Sequence, residues 1–293
     1  MNIVLHIGAH VTDGERLLHS LRKNADALAQ DGVRVPAHGA YRPALREAMQ
    51  AVNNGAPIEG QRELLLERVL GADAGACRRL VLSNPAFICT PSRIFEGREF
   101  YALVGMKAQA AQAIFAGDDL QIFLATRNPA TFVPAVFTQA KAKNLPDYLS
   151  GLDPTEIRWS DVVRRLRAAV PQAKVTVWAN EDTPLIWGRI LRRMAGLTFP
   201  APILGEHDLL ASIMSDEGLK RLLAYLRSHP PQTGAQMSRV VAAFLDKYAL
   251  PEEIEEEIDV EGWDAATVAA VTEGYEADLA EIARIEDVEM LAP

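Results

Sequence analysis

Short apolar runs alternate with segments of helical period through the first two thirds of this chain. Gly, Pro, Asn or Asp residues bound the runs, which cover residues 3–7, 33–35, 79–83, 119–126 and 174–178. Runs this short and this apolar are typical of strands buried on both faces, and strands that alternate with helices form parallel sheets. The sequence therefore predicts a three-layer α/β sandwich with a central parallel sheet. In such sheets ligands bind beyond the carboxyl ends of the strands.

The last third of the chain has a different pattern. From Pro200 onward we predict helices only, around residues 209–213, 219–226, 237–248 and 265–285. We interpret residues 1–199 as the α/β core and residues 200–293 as a helical extension packed on the same domain. The acidic segment 252–261 is typical of a solvated helix face. The apolar stripe of the last helix predicts packing on its own domain or, alternatively, on a second subunit in a homodimer.

Composition restricts the classes of function. A net charge of −9 argues against a general nucleic-acid or anionic-membrane binder. Two cysteines, Cys77 and Cys89, lack metal-site spacing and are expected to be free thiols. We expect no signal peptide, and no apolar run approaches the roughly 20 residues of a membrane span. The expectation is a cytoplasmic protein without a metal.

The opening stretch places a glycine turn directly after the first strand. Gly8 ends the apolar run, Asp13 and Gly14 form a tight turn, and a helical pattern follows from Leu17. In a strand–turn–helix unit of this kind, backbone N–H groups at the helix start point towards an anion, usually a phosphate. The Gly-Lys-Ser/Thr ending of a Walker motif is absent.

Two motifs resemble those of the sulfotransferase family, which uses phosphoadenosine phosphosulfate (PAPS) and has a P-loop-like α/β fold. His6-Ile7-Gly8-Ala9-His10 followed by Thr12 is similar to the family's 5′-phosphosulfate loop, H-x-G-x-x-K-T-G-T-T-S-L. Ala125-Thr126-Arg127-Asn128-Pro129 is similar to its second motif, a strand that ends in Arg-Asp/Asn-Pro. The similarity extends in order over residues 3–199.

This resemblance implies a site and an activity. It implies sulfuryl transfer from PAPS to a hydroxyl or amine of a small-molecule acceptor. The implied cofactor-binding residues are Gly8, Ala9, Thr12, Asp13, Gly14 and Arg127, with Arg127 on the 3′-phosphate. The implied catalytic residues are His10, as a base near the acceptor, and Arg16, as a substitute cation.

The sequence also departs from the family pattern. Val11 stands where the family has a lysine, and Ala135 where it has a serine. Loss of one preorganised cation at such a site costs about 3–4 kcal/mol of barrier. Asp13 and Glu15 oppose an anion, although Asp13 is also a favourable cap for the following helix. The alternative function is therefore a non-catalytic homologue that binds a different ligand or acts as a scaffold.

Other polar residues near strand ends have structural alternatives. His10 could be a locally bonded turn residue, and Arg127 could bond loop carbonyls or Asp118. Glu181 and Asp182 could act as acid and base or hold a metal, but helix capping by Asp182 explains them more simply. His6 is predicted to be buried within the strand. Ser83 lacks the G-x-S-x-G context of a hydrolase nucleophile.

Overall fold

The protein is built around a six-stranded sheet in which every pair of neighbours is parallel. A computed structural model of the chain describes residues 1–254 and 260–293. The strand order is β2-β3-β1-β4-β5-β6. The strands are β1 (Asn2–His6), β2 (Val33–Arg34), β3 (Arg79–Ser83), β4 (Asp119–Thr126), β5 (Lys174–Ala179) and β6 (Val288–Leu291). The predicted limits of β3 and β4 are confirmed to the residue.

Helices connect the strands and cover both faces of the sheet. In the first half of the chain they are α1 (Arg16–Arg22), α2 (Ala25–Gln30), α3 (His38–Asn53), α4 (Gln61–Leu70), α5 (Val104–Ile114), α6 (Pro129–Ala140) and α7 (Leu145–Tyr148). The later helices are α8 (Trp159–Ala169), α9 (Thr183–Ala195), α10 (Asp208–Ile213), α11 (Asp216–Ser228), α12 (Gly234–Tyr248), α13 (Pro251–Ile254) and α14 (Ala265–Ile282). Helix α9 ends at Gly196, which has a φ of 78° as a C-cap glycine requires.

Alternate side chains of β1 belong to two separate hydrophobic clusters. Ile3, Leu5 and Ile7 contact the cluster formed with α3, α5, α6, α8 and α14. Val4 points to the opposite face and packs with α1, α2 and α9. The two clusters confirm a three-layer α/β arrangement. Trp159, Trp178 and Trp187 are buried between the sheet and its helices.

The position of β1 creates the crevice in which a ligand can bind. β1 lies between β3 and β4. The helix that follows β1 packs on one face of the sheet, whereas α5 and α6, which follow its two neighbours, pack on the other. Chains that leave adjacent strands in opposite directions open a gap at the strand ends. The carboxyl end of β1 is therefore the topological switch point.

The prediction that strands stop at Pro200 is wrong. β6 pairs in parallel with β5 and extends the sheet at its edge. Only Leu291 of its four residues is buried, so this short edge strand lacks the continuous apolar run by which the other strands are recognised. The C-terminal region thus contributes to the sheet as well as to its cover. The helical pattern of residues 17–28 is also divided, because α1 ends at Arg22 and α2 begins at Ala25.

The last helix packs on its own domain, which is the first of the two alternatives. Ile282 is fully buried in the cluster shared with α6 and α8, and Leu279 and Ile285 pack against that cluster. Asp278 accepts hydrogen bonds from the backbone N–H groups of Trp159 and Ser160, at 2.6 and 3.1 Å, and so caps the start of α8.

Helices α10 to α12 form a small cluster of their own around Leu222. In the acidic segment, residues 255–259 lie outside the described residues. Cys77 and Cys89 are free and buried, as expected. In the described parts of the chain, no helix is long and apolar enough to cross a membrane.

Candidate functional site

A cavity of about 550 Å³ opens at the carboxyl edge of the sheet, beside the end of β1. We call it the rim cavity. Its polar lining comes from the opening loop, from the residues that follow β4 and β5, and from α13: Thr12, Asp13, Arg16, Arg127, Asn128, Thr131, Asn180, Glu181, Thr183 and Glu253. Its apolar lining comes largely from α9 and the C-terminal helices: Leu185, Trp187, Leu209, Ile213, Leu245 and Ile254. The opening loop and Arg127, which the resemblance assigns to one site, thus lie together at one edge of the sheet.

Gly8 and Ala9 extend the ladder between β1 and β4. The N–H of Ala9 donates to the carbonyl of Ala125 at 3.1 Å, and the Gly8 carbonyl accepts from the N–H of Ala125 at 2.6 Å. Both residues are buried and lie outside the lining of the rim cavity. Their backbone groups thus serve the sheet, although the resemblance assigns them to a cofactor.

Thr12 and Asp13 make local bonds within the loop. The Thr12 hydroxyl donates to the carbonyl of Ala9 at 2.8 Å. The Asp13 carboxylate, whose residue is 6% exposed, accepts from the N–H of Leu17 at 3.2 Å. The sequence favours Asp13 as the N-cap of α1, whereas the N-cap position is held by Glu15, whose side chain makes no capping bond, and Asp13, two residues earlier, supplies the carboxylate that bonds Leu17. An amide at the helix start is therefore satisfied by a carboxylate of the chain itself.

Glu15 and Arg16 point in different directions. Glu15 forms a bidentate ion pair with Arg42, with N–O distances of 2.7 and 2.6 Å, and Arg42 also donates to the Ser83 carbonyl. Glu15 is thereby directed away from the rim cavity. Arg16 is exposed at the cavity edge and makes no ion pair within residues 1–254 and 260–293. Gly14 is exposed and lines a separate groove beside α1.

Arg127 connects the two sequence motifs physically. Its guanidinium donates to the carbonyl of Val11, and its Nε donates to the hydroxyl of Thr131 at 3.1 Å. The backbone carbonyl of Arg127 accepts from the indole N–H of Trp159 at 2.8 Å. The alternative that Arg127 bonds a loop carbonyl is thus realised, whereas Asp118 pairs with Arg62 and the N-terminal amine. Arg127 both lines the cavity and holds its loop.

His10 lies away from the rim cavity, under Tyr101. Its Nδ1 is 2.7 Å from the Tyr101 hydroxyl, and the residue is 3% exposed. Burial lowers the pKa of His10 to about 4, an effect that the Cys89 carbonyl partly offsets. A neutral imidazole facing the protein interior has no path to a ligand in the cavity. The partner is 91 residues distant, so the bond is not the local turn bond considered from the sequence.

His6 is buried in β1, as predicted. Its Nδ1 is 2.9 Å from the Ser83 hydroxyl, and its ring stacks on Trp178. Burial lowers the pKa of His6, and the nearby Asp13 carboxylate opposes that effect. Ser83 is fully buried as well, which leaves its hydroxyl inaccessible to a substrate.

Buried His10 predicts acid sensitivity. Its folded-state pKa of about 4 lies below the unfolded value of 6.5, so between these values the unfolded state binds the extra proton. The stability that neutral His10 contributes is therefore fully present above about pH 6.5 and is lost as the pH falls towards 4. Between about pH 7 and pH 4, the free energy of unfolding of the wild type should therefore fall by about 2–3 kcal/mol more than that of the His10→Gln variant.

Urea denaturation at a series of pH values measures this difference. His6, whose pKa is lowered in the same direction, is present in both proteins, so the difference isolates His10. Parallel stability curves for the two proteins would contradict the prediction.

Glu181 joins three elements at the cavity edge. One carboxylate oxygen accepts the N–H of Asn128 at 2.8 Å, and the other accepts the hydroxyl of Tyr275 at 3.0 Å. Asp182 takes the N-cap position of α9 as predicted, but its side chain makes no capping bond. Burial and the neighbouring Glu181 raise the pKa of Asp182. Glu181 is best described as a connection between β5, α6 and α14.

Sequence reasoning missed Tyr275 and the apolar wall. Tyr275 follows its partner Glu181 by 94 residues, and Leu245 and Ile254 lie on helices with no motif of their own. The predicted helical extension was the only signal that could have suggested a cover for the cavity. Within the described residues, no group of three or more His, Cys, Asp or Glu side chains is placed to hold a metal ion.

Comparison with known proteins adds no relative. The chain matches no protein-family model, no curated protein and no solved structure. What the fold and the site define by themselves is an α/β protein with a parallel sheet and a cavity at its switch point.

Proposed function

We propose that this protein binds a small molecule in the rim cavity and does not use PAPS as a sulfuryl donor. This proposal corresponds to the alternative function given by the sequence, a non-catalytic sulfotransferase homologue that binds a different ligand. The observation that carries the proposal is the position of Asp13 beside an open cavity. The Asp13 carboxylate accepts a hydrogen bond from the backbone N–H of Leu17, and the adjacent rim cavity has a volume of about 550 Å³.

The cavity has the properties of a ligand site. Its volume lies within the range of about 300–1,000 Å³ that is typical of small-molecule pockets. It lies at the switch point of a parallel sheet, where ligands of α/β proteins bind. Its lining combines an apolar wall with a few polar groups, which is the usual composition of such pockets.

The opening loop disfavours PAPS chemistry. Val11 supplies no cation where the resembled family has a lysine, and the buried Asp13 carboxylate repels a 5′-phosphate. His10, the base implied by the resemblance, is hydrogen-bonded to Tyr101 outside the cavity. A sulfuryl transfer step would thus lack the lysine of the resembled family and the base implied by the resemblance, with Arg16 as a substitute cation.

A PAPS-dependent sulfotransferase is the second candidate. One observation favours it: Thr12, Arg16 and Arg127, the cofactor-contacting side chains of the resembled motifs, line the same cavity. If those three residues hold PAPS, Arg127 contacts the 3′-phosphate, and a small-molecule acceptor occupies the apolar end.

Calorimetric titration with adenosine 3′,5′-bisphosphate separates the two candidates. We expect no detectable heat from the wild-type protein at millimolar ligand. Micromolar binding that Arg127→Ala abolishes would overturn the proposal and support the sulfotransferase. The Thr131→Val variant is the matched control, because it removes a hydrogen-bond partner of Arg127 and leaves the guanidinium in place.

A further inference from the structure

Asp13 brings an unsatisfied acceptor to the rim cavity. The residue lines the cavity and is 6% exposed. Its Oδ2 accepts the N–H of Leu17, whereas its Oδ1 is buried without a hydrogen-bond partner among the described residues. Burial of a charged oxygen without a donor costs free energy, and a bound molecule that donates to the oxygen recovers part of that cost.

Within residues 1–254 and 260–293, the chain supplies no donor for this oxygen. His6 lies close enough to interact electrostatically with Asp13, but its Nε2 is likewise buried without a partner. Arg127 directs hydrogen bonds to the carbonyl of Val11 and the hydroxyl of Thr131. A donor for Oδ1 therefore has to come from a bound molecule, either water or a ligand.

The described lining of the cavity carries more negative than positive side chains. Its carboxylates are Asp13, Glu181 and Glu253, and its cations are Arg16 and Arg127. Both oxygens of Glu181 already accept hydrogen bonds, and Glu253 and Arg16 are exposed, so solvent screens their charges. Of the buried polar side-chain atoms described in this lining, Oδ1 of Asp13 is the one without a partner. The lining therefore favours a positive group that can donate a hydrogen bond.

The other side of the cavity is apolar and incompletely covered. Leu209 and Ile213 of α10 are nearly buried, whereas Ile254 of α13 is 49% exposed at the cavity edge. A ligand with a hydrocarbon body would remove this surface from water, which favours binding. Water or an inorganic cation makes no use of such a wall, whereas an organic cation does.

We infer that the ligand of the rim cavity is an organic amine, bound as its ammonium ion. One N–H of the ammonium donates to Oδ1 of Asp13, and the hydrocarbon body lies against Leu209, Ile213 and Ile254. This inference rests on the proposed function, because it names the ligand class of the same cavity.

Four probes with the same eight-carbon chain test the head group: octylammonium, octyltrimethylammonium, octan-1-ol and octanoate. Calorimetry at neutral pH gives their affinities. We expect octylammonium to bind about tenfold more tightly than octan-1-ol, as one charge-assisted hydrogen bond predicts. It should also bind more tightly than octyltrimethylammonium, which keeps the charge but has no N–H to donate. Octanoate should bind most weakly, because the Asp13 carboxylate repels it.

Two variants of the opening loop test the contact with Asp13. Asp13→Asn removes the charge and keeps a side-chain oxygen that can accept the N–H of Leu17. It should reduce the affinity for octylammonium about tenfold and leave that for octan-1-ol unchanged. Glu15→Gln is the matched control, because it removes a negative charge from the same loop at a side chain that pairs with Arg42 instead. It should leave all four affinities unchanged.

A variant of the apolar wall tests the cavity itself. Ile254→Ser should weaken the binding of all four probes several-fold, because every probe carries the same hydrocarbon chain. Leu64→Ser, at a position that is 63% exposed on α4, is the matched control and should change none of the affinities.

The outcomes distinguish the ligand class from the proposed function. If octylammonium bound no more tightly than octan-1-ol or octyltrimethylammonium, or if Asp13→Asn left its affinity unchanged, the amine class would be overturned and Oδ1 would be the site of an internal water. If Ile254→Ser still weakened every probe, the cavity would stand as a binding site. If no probe bound, or if Ile254→Ser had no effect, both the inference and the proposed cavity site would fall.

Discussion

Replacement of Gly8 by alanine is expected to lower the free energy of unfolding by about 3–5 kcal/mol. Gly8 has a φ of 109°, which L-residues rarely adopt. A Cβ at this position would lie 2.5 Å from the carbonyl oxygen of Pro85, so that backbone must move as well. The strain and the overlap act together, because β1 and the loop after β3 are both fixed by the sheet.

The matched control is Gly14→Ala in the same loop. Gly14 also has a positive φ, 55°, but a Cβ there meets nothing within 4 Å. We expect this change to cost about 1 kcal/mol. Urea denaturation followed by far-UV circular dichroism measures both variants. Equal losses for the two glycines would show that the Pro85 contact does not constrain the turn.

The part of the fold that could be predicted is the part with continuous apolar runs. β3 and β4 are buried on both faces where helices cover them, so their limits follow from composition alone. β6 could not be predicted in this way, since its Glu289 faces Arg193 and Thr176 at a partly open edge. A strand that is only partly covered need not be apolar.

The location of the site could be predicted, but the direction of its side chains could not. Parallel topology brings the ends of β1 and β4 together, and this alone places Arg127 beside Val11. The sequence contains no signal that His10 turns towards Tyr101 or that Glu15 turns towards Arg42. Both partners lie on distant elements, and the choice depends on packing that forms only in the folded chain.

Several polar groups of the opening loop are hydrogen-bonded within the chain itself, whereas Oδ1 of Asp13 is buried without a hydrogen-bond partner among the described residues. Asp13 bonds Leu17 through its other oxygen, Thr12 bonds Ala9, and Arg127 bonds Val11. In a phosphate-binding loop a ligand would supply some of these partners. Partners that the chain already supplies leave less for a bound phosphate to add.

Replacement of Trp159 by alanine is expected to cost about 3–5 kcal/mol of stability, as for other fully buried aromatic residues. Trp159 begins α8 and is completely buried. Its ring packs edge-to-face on Phe100 and Phe132, with centroid distances of 4.7 and 5.4 Å. Its indole N–H also satisfies the carbonyl of Arg127, so the residue connects the aromatic core to the edge of the rim cavity.

The Trp159→Phe variant separates packing from hydrogen bonding. It retains an aromatic ring against Phe100 but leaves the buried Arg127 carbonyl without its donor, for which we expect a loss of about 1–3 kcal/mol. Leu64→Ala, at an exposed position, should change stability by less than about 0.5 kcal/mol. Denaturation of the three variants in urea gives the comparison. If Trp159→Phe were as stable as the wild type, the indole bond would not hold Arg127 in place, and the position of the Arg127 backbone would have to depend on Glu181 and Asn128 instead.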